Sequence, residues 1–187
     1  MLQFPPLPTW DSLHPLIIHF PIVLLLLSPL FILISVAMPS PKGRPYMTVA
    51  LLLLLMGTGS LYLATETGEA AADLAERTEA INAVLQTHED LASKTKIVFS
   101  GLSVILIAML VLFRALRHIE SRLFSTYLPL TFLALYTVGV VFLMNTAHAG
   151  GRLVHEFGVH AMLPPEATNQ TGATPAHQES AKRDSGE

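Results

Sequence analysis

Four stretches of this chain, 16–38, 46–65, 97–116 and 125–146, are almost wholly apolar. Each is near the roughly 20 residues that an α-helix needs to cross the hydrocarbon of a bilayer. Lipid offers nothing to hydrogen-bond a backbone amide, so a chain with four such runs must place them as helices whose N–H and C=O groups pair internally. The rest of the composition agrees, with 51% of the 187 residues hydrophobic and 13% charged. The expected fold is all-α, an integral membrane four-helix bundle with no material left for a second core. The first run is too long for a secretory signal core, and residues 1–13 contain no Lys or Arg, so it is expected to be retained as a span. The absence of cysteine excludes disulfides, iron–sulfur clusters and covalently attached c-type haem. No internal repeat is evident by eye.

Orientation follows from basic residues. Lys42 and Arg44 lie between the first two runs, and Arg114, Arg117 and Arg122 between the last two. Positive charge in short loops is held in the cytoplasm, which puts both termini outside. Ile81, Val84, Leu85, His88, Leu91, Ala92 and Thr95 recur at helical spacing, so the third helix is expected to begin before the membrane. Glu66, Glu69, Asp73 and Glu76 alternate with alanines, as if the second helix also continued outward, and the two form an external helical extension. The expected organisation is an external segment 1–13, a transmembrane domain 14–160 and a flexible polar tail 161–187. Trp10 and Tyr46 read as interfacial anchors, and Asn169-Gln170-Thr171 is an isolated glycosylation-like triplet in the tail.

Folding the runs into alternating helices gathers most of the eight histidines at the outer end. Counted at 1.5 Å per residue from the cytoplasmic ends, His19 lies at about 28 Å, Glu66 at about 30, His148 at about 33, His14 at about 36 and His88 at about 39. Ionisable groups at such depth are costly and mark function, and a neutral imidazole is a ligand for metal or haem. His155 and His160 flank Phe157-Gly158 near the same face, His118 sits at the opposite face, and His177 belongs to the tail.

Two chemistries fit. A b-type haem, one or two per chain, takes axial imidazoles from facing helices of a bundle, with His19 matching His148 in height and His14 matching His88. Gly150 and Gly151 beside His148 admit a flat group, and Arg152 or Lys96 is a counter-charge for propionates. Alternatively, His14, His19, His88 and His148 with Glu66 or Glu69 hold bare zinc, iron, manganese or copper. His14 and His19 are five apart, about 140° around an ideal helix, unless Pro15 unwinds the opening turn. A third possibility is a structural anchor subunit of a larger membrane complex. No nucleophile with an adjacent base, phosphate-binding glycine loop or nucleic-acid patch is present, so an electron-transfer subunit is favoured over a stand-alone enzyme.

The segments His14-Pro15-Leu16-Ile17-Ile18-His19-Phe20-Pro21, Thr65-Glu66-Thr67-Gly68-Glu69-Ala70-Ala71, the isolated His88, and His148-Ala149-Gly150-Gly151-Arg152-Leu153-Val154 resemble the bacterial membrane family called domain of unknown function 2231, over about residues 12–160. The resemblance implies four helices in the bacterial inner membrane and redox work at the periplasmic face beside c-type cytochromes, with His14, His19, His88 and His148 as functional positions. The electron partner is then a separate cytochrome or larger membrane complex, with quinol a possible donor. His155 stands where the family often has an aromatic residue, which argues against an essential role for it.

Overall fold

The computed structural model describes residues 8–39, 42–75, 77–115 and 126–159. Among them the secondary structure is helical: α1 (Trp10–Ala37), α2 (Arg44–Asp73), α3 (Glu79–Ala115) and α4 (Leu128–His155), all four long and apolar enough to cross a membrane. The second and third helices run well past the apolar stretches expected for them, α2 to Asp73 and α3 from Glu79. His118, His160, His177, Arg117, Arg122 and the tail 161–187 lie outside the described residues.

Prolines shape α1. Its first turn, Trp10–Leu13, is 3-10 helix, and the α-helical pattern lapses at Ile18. Pro21 has no N–H to give to Ile17, one turn back, so the lapse belongs to Pro21 rather than to Pro15, which sits harmlessly in the first turn. Pro29 does the same in mid-helix and leaves the Leu25 carbonyl without its helical donor. The Tyr136 hydroxyl on α4 donates to that carbonyl at 2.8 Å. In lipid an unpaired carbonyl is costly, so a proline on one helix is matched by a tyrosine on its neighbour.

The helices form a ring in which α1 packs on α2, α2 on α3, α3 on α4 and α4 on α1. The main core is built of Leu25, Ile32, Leu54, Phe99, Leu106, Phe132 and Tyr136 and their neighbours. Polar links tie each seam: Ser28 Oγ–H to the Ala50 carbonyl (3.0 Å), Thr58 with Ser103 (3.1 Å), and Thr95 with Thr146 (2.8 Å). A second, smaller apolar cluster joins Ile81, Val84 and Leu85 at the start of α3 to Leu153 of α4, with Ala72, Phe157 and Val159 packed against it. Gly158, at φ +65°, ends α4 in the left-handed conformation, and the Val159 N–H closes back on the Leu153 carbonyl, which turns Val159 into that cluster.

The buried positions reveal an internal repeat that the residue identities hide. The four buried residues of α1 (Pro21, Leu25, Ser28, Ile32) recur in α3 as Thr95, Phe99, Leu102 and Leu106, each 74 positions on. In α2, Met47, Ala50, Leu54, Gly57, Leu61 and Thr67 recur in α4 as Pro129, Phe132, Tyr136, Gly139, Leu143 and Ala149, each 82 positions on. The α1–α2 hairpin and the α3–α4 hairpin are thus two copies of one unit, and the closed ring carries α1 onto α3 and α2 onto α4. Even the close contacts recur: a Cβ on Gly57 would lie 2.7 Å from Leu25, and one on Gly139 would lie 3.1 Å from Phe99.

The Pro29–Leu25–Tyr136 arrangement predicts that Tyr136→Phe lowers stability in detergent by about 1–3 kcal/mol, the cost of orphaning a buried acceptor. In a Pro29→Ala background, where residue 29 again supplies its own N–H to Leu25, the cost of Tyr136→Phe should shrink markedly. A double-mutant cycle on thermal or denaturant midpoints checks this; equal costs in both backgrounds would refute the coupling.

Candidate functional site

The site is built where α1 and α3 begin and α2 and α4 end, from one histidine of each hairpin. His14 Nδ1 lies 2.9 Å from the Ala64 carbonyl of α2, and His88 Nδ1 lies 3.0 Å from the Thr146 carbonyl of α4. A carbonyl can only accept, so both rings carry their proton on Nδ1, and the Nε2 lone pairs are left without a hydrogen bond among the described residues. Four residues beyond each carbonyl comes a glycine on which the ring rests. A Cβ at Gly68 would stand 2.9 Å from His14 Cε1, and one at Gly150 would stand 3.0 Å from His88 Cε1. Ala64 and Thr146, and likewise Gly68 and Gly150, are again 82 positions apart, and His14 and His88 are 74 apart. The two histidines are therefore the same residue of the repeated unit.

Both histidines precede the apolar runs that start at residues 16 and 97. Each ring is part-buried, and desolvation holds it below the ordinary imidazole value of 6.5, although the carbonyl hydrogen bond pulls the other way. The charge of His88 lowers His14 further. Glu89 works to raise His88 without reversing the effect of burial. Both imidazoles are thereby favoured in the neutral, ligand-competent form.

The remaining expected residues lie elsewhere. His19 is exposed on the outward side of α1, because the lapse at Ile18 and the turn of the helix carry it away from His14. His148 is exposed on α4, where it lines a shallow surface groove with Gly151, Arg152, His155 and Glu156, all from that one helix. The structure thus gives His14 and His88 the same seating at the same end of the bundle and leaves His19 and His148 exposed. Glu66 and Glu69 are exposed on α2, and among the described residues no three His, Asp or Glu side chains converge as a metal-holding group. Gly150 is a ring seat, whereas Gly151 faces open space, and α4 runs unbroken through both. Arg152 donates from Nε to both carboxylate oxygens of Glu156 at 3.0 and 2.9 Å, and Lys96 Nζ stands 5.5 Å over the Tyr62 ring.

Sequence reasoning missed the partners of the histidines. Ala64 and Thr146 act through backbone oxygen, which carries no side-chain signature. Gly68 enters the sequence reading only as part of the segment from Thr65 to Ala71 and not as the counterpart of Gly150. The signal that finds them is the shared spacing, a glycine four residues after the acceptor in both α2 and α4.

A ring of four helices, each long and apolar enough to cross a bilayer, with a histidine seated on a glycine at one end of each hairpin, defines a multi-pass membrane protein. The chain belongs to the family described as predicted membrane protein (DUF2231), which it matches over residues 11–162. Searches of curated proteins and of solved structures return no match.

Gly68→Ala and Gly150→Ala should each displace an imidazole and destabilise the protein by about 1–3 kcal/mol through overpacking. Gly151→Ala and Gly59→Ala, where a Cβ meets nothing within 4 Å, should be neutral or gain about 0.5–1 kcal/mol of helix stability. Unfolding midpoints of the four variants in one detergent give the comparison; equal effects at seated and open glycines would contradict the ring seats.

Proposed function

We propose that this protein is a haem b-binding subunit that carries electrons at the periplasmic face of the bacterial inner membrane, and that His14 and His88 are the two residues that would hold the haem iron. The observation that carries the proposal is the matched presentation of two imidazoles. Each is oriented through Nδ1–H by a backbone carbonyl and keeps its Nε2 lone pair available, as an imidazole committed to iron must. Ligand number favours haem over a bare ion. A structural metal needs about four protein ligands and a catalytic one about three, whereas a porphyrin supplies four donors itself and asks the protein for two.

When bound, haem would supply one-electron chemistry; the chain's own residues do the rest. The Ala64 and Thr146 carbonyls fix ring orientation and enrich the imidazoles, and Gly68 and Gly150 let the rings lie close to the helix backbones. The basic residues of the loops between paired helices support the orientation with both termini, and hence this site, on the periplasmic side. A site there is placed to pass electrons between quinol in the membrane and a c-type cytochrome or larger complex outside it.

The test is a reduced-minus-oxidised visible spectrum of the detergent-purified protein, expressed with ample haem, together with a pyridine haemochrome count. About one b-type haem per chain is expected, lost in His14→Ala and His88→Ala and retained in His19→Ala and His148→Ala. No haem in the wild type would overturn the reading, and metal analysis before and after chelation would then separate a bare-ion site from a structural anchor.

A further inference from the structure

The internal duplication allows the two halves of the site to be compared residue for residue, each serving as the control for the other. His14 matches His88, Gly68 matches Gly150, and the accepting carbonyls match through Ala64 and Thr146. At the position one residue before the seat glycine the halves differ: α2 has Thr67 and α4 has Ala149, both buried. Thr67 is fully buried, and its Oγ1 lies 3.3 Å from His14 Nδ1.

The direction of that contact can be deduced. The Thr67 hydroxyl proton has the Leu63 carbonyl at 2.9 Å and the Ala64 carbonyl at 3.2 Å, the usual back-bond of a helical threonine. Since His14 Nδ1 is protonated to serve Ala64, the Thr67 oxygen presents a lone pair to the same N–H, which is shared between two acceptors. His88 has no counterpart. In that half the hydroxyl sits on Thr146 itself and is occupied with Phe142 and Thr95, and among the described residues only the Thr146 carbonyl is bonded to the ring.

We infer that Thr67 is a positioning residue that makes His14 the more electron-rich imidazole of the pair, breaking the equivalence that the duplicated hairpins would otherwise impose. A second acceptor on Nδ1–H moves the ring toward imidazolate character, which strengthens Nε2 as a donor and, on iron, favours the oxidised form. The hydroxyl also opposes rotation of the ring about its bond to the chain. This inference rests on the haem reading for its redox consequence and is independent of it for the hydrogen bond.

The experiment compares wild type, Thr67→Val, which keeps the branched shape without the hydroxyl, and Thr67→Ser, which keeps the hydroxyl. Nitrogen-15 NMR of imidazole-labelled protein reads the Nδ1–H of His14 and His88 without any cofactor, and a redox titration reads the midpoint potential with haem bound. In Thr67→Val the His14 Nδ1–H resonance is expected to shift while that of His88 stays put, and the haem potential to rise; Thr67→Ser should restore both. An unmoved His14 resonance overturns the inference, as does a shifted resonance with an unchanged potential, or a serine variant that behaves like valine. If the wild type takes up no haem, the cofactor reading has failed, and the NMR comparison alone decides whether Thr67 sets the His14 hydrogen bond.

Discussion

Within each hairpin the two helices approach closely enough for a side chain of one to lie against the backbone of the other, and the rest of the molecule follows from that approach. Between helices in lipid there is no water to expel, so association depends on contact and on polar pairing. Gly57 against Leu25 and Gly139 against Phe99 bring the hairpin helices together in mid-membrane. The same closeness, continued to the ends of the helices, puts His14 on Gly68 and His88 on Gly150 and brings each ring within hydrogen-bonding distance of a carbonyl. The site is therefore a continuation of the packing and needs no separate loop or insertion to form it.

The polar residues of the bundle meet the second demand of lipid, that nothing polar be left unpaired. Tyr136 closes the gap that Pro29 opens at Leu25, and Ser28, Thr58, Ser103, Thr95 and Thr146 find partners on neighbouring helices. Among the described residues no buried side-chain nitrogen or oxygen lacks a partner. The Nε2 atoms of His14 and His88 have no hydrogen-bond partner among the described residues and are not among the buried polar atoms, so each stays open to a ligand.

The four spans were legible because hydropathy over 20 residues is a signal that single substitutions do not erase, and the early start of α3 was legible from the spacing of Ile81, Val84, Leu85 and Thr95. Choosing two histidines from four at the same end was not. His14 and His19 are separated by a turn that Pro21 interrupts, so an ideal 100° per residue does not transfer across Ile18. His148 sits two residues from the seat Gly150, and only the helix phase, set by packing, turns it outward. The repeat was hidden by its own divergence. Ser28 answers to Leu102, Ala50 to Phe132 and Leu54 to Tyr136, and the register differs, 74 positions for the first helix of each unit and 82 for the second, because the connection between the second pair is longer by eight residues. Burial exposes the repeat because it records which positions pack, whatever residues fill them.

A duplicated unit explains why the histidine on its glycine seat occurs twice and why the two copies need not be alike. Two copies of one hairpin, packed into one ring, put equivalent residues at the same end of it, so a histidine carried by one unit is found again in the other. After duplication each copy is free to change separately. The surfaces have done so: the outer end of α2 exposes Glu66, Glu69 and Asp73, whereas the matching end of α4 exposes His148 and His155. The interior keeps glycine where a ring lies on backbone, since any larger residue would collide there, and differs at the adjacent position, where a hydroxyl is present on one side and absent on the other. Steric constraint thus preserves the pair, while the freedom beside it, as at Thr67 and Ala149, gives the two imidazoles different surroundings.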